Sequence, residues 1–294
     1  MIVRNQHGNK MRKLQTSLFA LTTCVSLIVC GNAASAADLG GGSKDGPGAG
    51  DEWVLTGVKV GGILVITPTY EGSDEYEALG FPYILPVFEG GGPGFFSRFD
   101  ANGLDDVRFK LFEYGGFVAG PLGGYTFGRE EDDGDLLEGL GDIDGGVVAG
   151  GFIGYKLGPV LFDVSYHHFF DDSGGNQVRF GAEVERPISE RVTLTGRIGA
   201  TYADGDYTQE YFGISDDQAL DSPNFATAFE ADAGFKDVNV EIGLKAELDS
   251  NWSARASVRY SRLIGDAADS PIVESEDQLT GLVGLSYQFN VGDR

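Results

Sequence analysis

The sequence predicts an all-β protein, a transmembrane antiparallel β-barrel of about twelve strands, with about ten as the alternative. Three features indicate this fold: apolar and polar residues alternate repeatedly, the apolar faces end in aromatic residues, and short connections alternate with long acidic ones. The alternation is clearest in FKDVNVEIGLKAEL, where Val240, Ile242 and Leu244 share one face and Glu241 and Lys245 share the other.

The first 36 residues have the pattern of a secretory signal peptide. Arg12 and Lys13 precede an apolar run from Leu14 to Cys30, and Ala34-Ser35-Ala36 forms an A-x-A cleavage site. A transmembrane anchor is the alternative, but the run is short and contains several Thr and Ser residues. Cleavage after residue 36 would remove both cysteines, so the exported chain would form no disulfide.

The remaining chain divides into three parts. Residues 37–52 are rich in glycine and predict a flexible periplasmic linker. Residues 53–289 predict the outer-membrane barrel, and residues 290–294 form a C-terminal extension. Whether translation starts at Met1 or Met11 stays open.

Charge excludes one class of partner. The 294 residues carry a formal net charge of −24, with a pI near 4.3. Binding to nucleic acid requires clustered Lys and Arg, so we expect no nucleic-acid partner. The exported chain is expected to contact outer-membrane lipid and lipopolysaccharide instead, in the outer membrane of a Gram-negative cell.

Strand positions follow from the alternation and from the connections between its segments. Lys156–Pro159, Pro187–Glu190 and Asp249–Asn251 are tight, whereas residues 128–145, 203–234 and 265–277 are long and acidic. This pattern is typical of periplasmic turns and extracellular loops, and it predicts both termini on the periplasmic side. We predict strands at residues 53–67, 79–89, 94–100, 104–112, 116–128, 146–157, 159–169, 176–186, 191–202, 235–248, 251–263 and 278–289.

Several segments resemble the MipA/OmpV family of outer-membrane proteins. They are PTYEGSDEY at 68–76, FPYILP at 81–86, TYADGDYTQEYFGIS at 201–215, YSRLIGDAADSPIV at 260–273 and GLSYQF at 284–289. The resemblance implies a β-barrel that acts as a scaffold rather than as an enzyme. It also implies two partners, a lytic transglycosylase (MltA) and a bifunctional murein synthase, while other members are linked to adhesion or to stress.

Two points differ from what the family implies. Family chains usually stop at the terminal Phe that the insertion machinery reads, whereas Asn290 to Arg294 follow Phe289 here. In addition, the predicted periplasmic turns are too short to supply the roughly 800 Å² per partner of a stable interface. A narrow passive pore and a surface adhesin acting through the acidic loops are therefore kept as alternative functions.

One strand carries residue types that suggest catalysis. Asp163, Ser165 and His167 share a face that we assign to the lumen. Residues two apart on a strand lie roughly 6.5–7 Å apart, too far for a nucleophile–base hydrogen bond of about 3 Å. We therefore predict a lumen hydrogen-bond network, and no catalytic residues.

No metal or cofactor site is predicted. His167 and His168 are adjacent, so they point to opposite faces of a strand, and no other His or Cys follows the signal peptide. The acidic runs Glu130–Asp135 and Asp142–Asp144 are interpreted as solvated loop charge. The segment DGDYTQEYFGIS lacks the spacing of an EF-hand loop, and we predict that its aromatic residues pack over the barrel mouth.

Charges of both signs are predicted to point into the lumen. Because the interior side chains of a narrow barrel fill much of its space, we expect a largely blocked lumen. The inward-pointing charged residues are Arg108, Lys110, Arg179, Glu183, Arg197, Glu241, Lys245, Glu247, Arg255 and Arg259.

Overall fold

The computed structural model describes residues 54–89 and 98–290. The predicted signal peptide, the linker, Trp53, the first part of the predicted strand 94–100 and the extension beyond Asn290 lie outside the described residues. Those interpretations stay predictions.

The described chain forms one antiparallel sheet. Its strands are β1 (Val54–Pro68), β2 (Tyr76–Glu89), β3 (Phe99–Ala101), β4 (Val107–Phe109), β5 (Phe112–Tyr114), β6 (Phe117–Thr126), β7 (Gly146–Leu157), β8 (Val160–Phe170), β9 (Asn176–Pro187), β10 (Val192–Ala203), β11 (Gly234–Glu247), β12 (Trp252–Leu263) and β13 (Asp277–Asn290). Neighbouring strands follow the order β2-β1-β13-β12-β11-β10-β9-β8-β7-β6-β4-β3. From β6 to β13 each strand pairs with its neighbours in sequence, whereas β1 pairs with β2 and β13, and β4 pairs with β3 and β6.

Twelve strand positions are present, as predicted. Both β4 and β5 pair with β6, and only Lys110 and Leu111 separate them, so they form one interrupted strand. The predicted strand 104–112 was wrong in its first part, because residues 104–106 belong to a turn rather than to a strand. This turn, residues 102–106, is called the lumen turn below.

The two ends of the sheet differ in their connections. Short turns at residues 115–116, 158–159, 188–191 and 248–251 define the short-turn end. Loops at residues 69–75, 127–145, 171–175, 204–233 and 264–276 define the loop end. Because Gly57 of β1 pairs with Asn290 of β13, both described chain ends lie at the short-turn end.

One of the two-residue turns at the short-turn end depends on two glycines. Gly115 and Gly116 have φ values of +60° and +89°, and they alone join β5 to β6. A two-residue hairpin matches the twist of its strands when both central residues have positive φ, which favours glycine. The two glycines therefore allow a turn so short that almost no chain extends beyond the rim of the barrel.

The sheet curls so that its two margins approach each other. The rings of Phe81 on β2 and Phe127, which follows β6, stack with their centroids 6.1 Å apart. Among the described residues no pairing joins β2 to β3, and residues 90–97 between these strands are outside the described part. The curled sheet is the architecture of an antiparallel barrel.

The outer face of the sheet is apolar. Ile242 of β11 is 62% exposed and Ile198 of β10 is 60% exposed, as expected for side chains that face lipid rather than water. Aromatic side chains mark both borders of this band. Tyr114, Phe117, Tyr155, Trp252 and Phe289 lie near the short-turn end, and Tyr76, Tyr166, Phe170, Tyr202, Phe235 and Tyr260 lie near the loop end.

The long loops contain helices that the alternation did not predict. They are α1 (Gly205–Phe212), α2 (Asp216–Asp221) and α3 (Asp266–Asp269), with 3-10 turns at Glu131–Asp133 and Asp135–Leu137. Among the described residues, no helix is both long and apolar enough to cross a membrane. These helices pack over the loop end instead.

Candidate functional site

The inner face of β8 brings the three catalytic-type residues into the lumen, as predicted. Asp163, Ser165 and His167 are 4%, 1% and 0% exposed. The Ser165 hydroxyl accepts a hydrogen bond from Arg108 Nη2 at 3.2 Å rather than donating to His167. The three residues therefore form a polar network, and their geometry lacks the nucleophile–base contact of a hydrolase.

Arg108 on β4 is the centre of this network. Its Nε donates to Asp106 at 2.8 Å and its Nη1 donates to Asp163 at 2.6 Å. The guanidinium also lies over the Phe152 ring, 5.1 Å from the centroid. A planar group with five donors suits this position, because it can bond both carboxylates while one face stacks on an aromatic ring.

A second arginine extends the network across three strands. Arg197 of β10 donates to Asp163 on β8 at 2.9 Å and to Glu183 on β9 at 3.2 Å. Gly181 leaves room for this contact, since a Cβ there would lie 2.1 Å from Arg197 Nη2. The inward charges therefore pair with each other, as in a lumen filled by its own side chains.

The lumen turn crosses the interior from β4 to the opposite wall. The carbonyl of Asn102 accepts from Arg259 on β12 at 3.2 Å, and Asp105 forms an ion pair with Arg179 on β9. The carbonyl of Leu104 accepts from the backbone of Tyr125 at 3.0 Å. The turn is thus held from several strands at once and narrows the lumen.

His167 lies against the lumen turn. Its Nε2 is 3.7 Å from Asp106 Oδ2, and neither ring nitrogen has a hydrogen-bond partner. His168 points to the other side of β8, where its Nδ1 lies 2.9 Å from Asn176 Oδ1. The two histidines therefore lie on opposite faces, as predicted. In the described part of the chain no three His, Cys, Asp or Glu side chains group as a metal site.

The cap is formed by the loops at residues 69–75, 127–145, 204–233 and 264–276, which meet over the loop end. One apolar cluster joins Phe212 and Tyr207 of α1 to Phe169, Leu263 and Ala267. A second cluster joins Tyr70, Leu137, Leu140, Ile214 and Ile272. The aromatic residues of DGDYTQEYFGIS thus pack over the barrel mouth, which confirms that prediction.

One acid of the same segment, Asp204, has a structural role. Asp204 is the N-cap of α1 and accepts from the backbone N–H of Tyr207 at 3.0 Å. Burial, followed by the nearby Glu71, raises the pKa of Tyr207 well above its usual value, so its hydroxyl stays protonated and donates to Glu71 at 3.2 Å. The signals for these helices were Asp204 before α1 and the capping box Ser215–Gln218 before α2.

The acidic runs of the β6–β7 loop hold their own backbone. Asp142 accepts from the backbone of Glu131 at 2.9 Å, and Glu131 accepts from the backbone of Gly141 at 2.7 Å. Asp133 accepts from the backbone of Glu130 at 2.7 Å. Carboxylates engaged in this way order a loop, which adds a structural role to the solvated charge that the sequence indicated.

Sequence comparison identifies the family. Residues 60–289 match the family described as MltA-interacting protein, MipA. The chain belongs to this family. The match covers all strands from within β1 to β13, so the MipA-family fold is the outer-membrane β-barrel described above.

Individual relatives of this MipA-family chain are outer-membrane proteins. It is 29% identical over 136 residues to "Outer membrane protein Omp26La" of Vibrio anguillarum and 28% identical over 136 residues to "Outer membrane protein OmpV" of Vibrio cholerae. Each match covers 46% of this chain and 43% of the relative. The matched region thus spans less than half the length of each of these relatives.

Solved structures with some likeness to the MipA-family chain are also outer-membrane proteins. The NanC porin matches with a TM-score of 0.36 and 10% identity, covering 79% of this chain and 100% of that chain. OmpT of Vibrio cholerae in its trimer form matches with a TM-score of 0.37 and 8% identity, covering 81% and 100%. These TM-scores are too low to identify the fold. The family match and the described sheet identify it instead.

Proposed function

We propose that this MipA-family barrel is a non-enzymatic scaffold that binds murein-acting enzymes at its short-turn end, which faces the periplasm. The family description names an interaction with MltA, a lytic transglycosylase, and the sequence resemblance adds a murein synthase as a second partner. Lipid and lipopolysaccharide would surround the outer face.

The exposure of the inner wall supports this proposal. Near the loop end the lumen charges are buried, and the Lys236 side chain is 6% exposed. Near the short-turn end Lys245 and Glu185 form an ion pair with side chains 57% and 48% exposed. Arg255 and Glu247 are exposed on the same inner wall. The inner wall at the short-turn end thus offers charged surface to a partner. This surface adds to the small area that the short turns supply.

The interior favours a scaffold over the alternative of a passive pore. A solute would have to pass the cap, whose Phe212, Ile272 and Leu137 side chains are fully buried, and then the lumen turn. We therefore expect no discrete conductance steps from the intact protein in planar bilayers. Surface adhesion stays an alternative, because the acidic loop surface lies at the loop end.

The experiment compares capture of partners by variants of the two ends. Tagged full-length protein, cross-linked in cells and extracted in mild detergent, should recover a lytic transglycosylase. The double variant Lys245→Glu with Arg255→Glu reverses charge inside the short-turn rim and should recover several-fold less. Arg262→Glu is the matched control, because Arg262 is a similarly exposed cation near the loop end.

Two outcomes would contradict the proposal. One is that the unmodified protein recovers no murein enzyme above an untagged strain. The other is that the short-turn variant and Arg262→Glu recover the enzyme equally well. Loss of attachment to host or abiotic surfaces in a loop variant, with normal enzyme recovery, would favour the adhesin instead.

A further inference from the structure

A small cavity lies between the cap and the lumen turn. Its volume is about 220 Å³, the space of about seven water molecules. Tyr207 and Tyr211 of α1 line it from the cap, and Leu104 and Asp105 line it from the lumen turn. Arg129, which follows β6, lines its side. We call this space the cap chamber.

Arg129 is a buried cation with little compensation. The residue is 3% exposed, and its Nη1 donates to the backbone carbonyl of Tyr211 at 2.8 Å. Its Nε has no hydrogen-bond partner, and among the described residues no carboxylate lies within 4.0 Å of it. Burial lowers the pKa of Arg129 even though Glu210 acts in the opposite direction. A buried guanidinium with an unpaired Nε is costly, and a bound anion would offset part of that cost.

The other charges of the cap chamber are already paired. Asp105 forms its ion pair with Arg179, and Glu71 forms one with Lys236. Neither carboxylate competes for Arg129 at ion-pair distance. The chamber therefore presents one available positive group, set against acids that have their own partners.

The rest of the chamber wall is largely aromatic. Tyr207 and Tyr211 stack with centroids 4.4 Å apart and an interplanar angle of 17°. Tyr125 meets Phe127 edge to face at 5.5 Å. The cavity volume of about 220 Å³ is enough for a flat ring, which aromatic side chains contact favourably by stacking or edge-to-face packing.

We propose that the cap chamber binds a small aromatic carboxylate, with the carboxylate on Arg129 and the ring among Tyr125, Tyr207 and Tyr211. Hydrogen bonds between arginine and a carboxylate are charge-assisted, and they are roughly twice as strong as neutral ones. The chamber shares Tyr70, Glu71, Asp105 and Arg179 with a lumen cavity of about 390 Å³. These shared walls place the chamber directly beside the lumen cavity.

Isothermal titration of the full-length protein in detergent micelles tests the proposal, with benzoate as the probe. Benzamide is the matched neutral ligand, because it keeps the ring and nearly the same shape. Benzoate should bind at least tenfold more tightly than benzamide, since the charge-assisted pair with Arg129 is lost in the amide. This comparison needs no variant, so it does not depend on whether an altered cap folds.

Variants then locate the site. Arg129→Gln should weaken benzoate binding at least tenfold and leave benzamide binding unchanged. Arg191→Gln, which removes an exposed arginine in the turn at residues 188–191, should bind benzoate like the unmodified protein. Equal affinity for benzoate and benzamide would overturn the proposal. So would benzoate binding that survives Arg129→Gln, or no benzoate binding at millimolar concentration.

Discussion

Gly124 on β6 sets how closely the lumen turn approaches the wall. A Cβ at this position would lie 2.3 Å from the carbonyl oxygen of Leu104 and 2.5 Å from the Cα of Asp105. Both contacts are to backbone atoms, which cannot rotate away as a flexible side chain can. The missing side chain therefore allows the hydrogen bond from Tyr125 to Leu104.

Replacing this glycine should displace the turn. We expect Gly124→Ala to destabilise the protein by about 1–3 kcal/mol, the usual cost of overpacking a filled site. Urea unfolding in lipid micelles, followed by heat-modifiability on gels, measures the change. Gly123→Ala is the control, because its Cβ would lie 3.5 Å from the carbonyl oxygen of Val148, which is an ordinary van der Waals contact. Equal destabilisation by both variants would contradict the close approach of the turn.

Asp204 connects the end of β10 to α1 through hydrogen bonds to its carboxylate. Its Oδ1 accepts from the backbone N–H groups of Tyr207 and Asn176, each at 3.0 Å. Burial acts to raise the pKa of Asp204, but these bonds and one from the Asn176 side chain outweigh it and lower the pKa below its ordinary value. The ionised form is therefore the one that the cap stabilises.

This lowered pKa predicts how the stability of the cap varies with pH. The contribution of ionised Asp204 is fully present above the ordinary carboxyl pKa of about 3.9 and is lost as the pH falls through the lower folded-state pKa. Asp204→Asn keeps a capping oxygen but does not titrate. The unmodified protein should thus unfold at higher urea concentration than Asp204→Asn at pH 7, and the difference should shrink towards pH 2. A difference that does not vary with pH would refute the role of the charge.

At the scale of elements, α1 fastens the β10–β11 loop to the barrel. Phe212 is fully buried among side chains from three other parts of the chain, including Phe169 and Ala267. The hydroxyl of Ser270 also donates to the Phe212 carbonyl. This one short helix therefore holds together parts of the cap that lie far apart in the sequence.

Truncating this side chain should open the cap while the barrel stays folded. Phe212→Ala removes a buried aromatic ring, for which a loss of about 3–5 kcal/mol is typical. Hydrogen exchange of the α1 amides should increase markedly, whereas the amides of β10 and β11 should stay protected. Leu220→Ala in α2 of the same loop is the control, because Leu220 is 83% exposed. Protection of α1 in Phe212→Ala equal to that in the control would show that the cluster does not hold the cap.

The alternation of residues explains which elements the sequence could predict. In β11 and β12 the apolar face is uninterrupted, so predicted strands 235–248 and 251–263 agree with Gly234–Glu247 and Trp252–Leu263 within about a residue. Around Asn102–Asp106 the alternation fails, because this segment leaves the sheet and bonds to strands that are distant in sequence. Such partners, including Arg179 and Arg259, follow only from the three-dimensional arrangement.

The same distinction applies to the candidate site. The faces of Asp163, Ser165 and His167 were predictable because side chains on a strand alternate. Their partner Arg108 was predicted to point inward, but its bonds to Asp106 and Asp163 depend on the register between strands. Arg129 carries no pattern of its own in the sequence, since only the packing of the loops shows that it is buried.

At the scale of the whole molecule, the apolar band should make the protein sensitive to charge at the middle of its outer face. Ile242 is 62% exposed and central in β11. We expect Ile242→Arg to destabilise the protein in lipid by about 2–4 kcal/mol. Ile188→Arg is the matched control, since Ile188 is 59% exposed but lies in a short turn near the membrane border, where about 0–1 kcal/mol is typical. Equilibrium unfolding in lipid bilayers measures the loss of stability in both variants. Equal losses would show that Ile242 does not lie at the middle of the apolar band.

The pairing of β1 with β13 has a consequence for biogenesis. The other long strands pair with strands that are close in sequence, but β1 meets β13 only when the last strand has been delivered. Contacts between residues so distant in sequence form slowly, and until then β1 exposes an unpaired edge that can join other chains. Covering the β1 edge until β13 arrives would therefore lower the risk that the nascent protein aggregates.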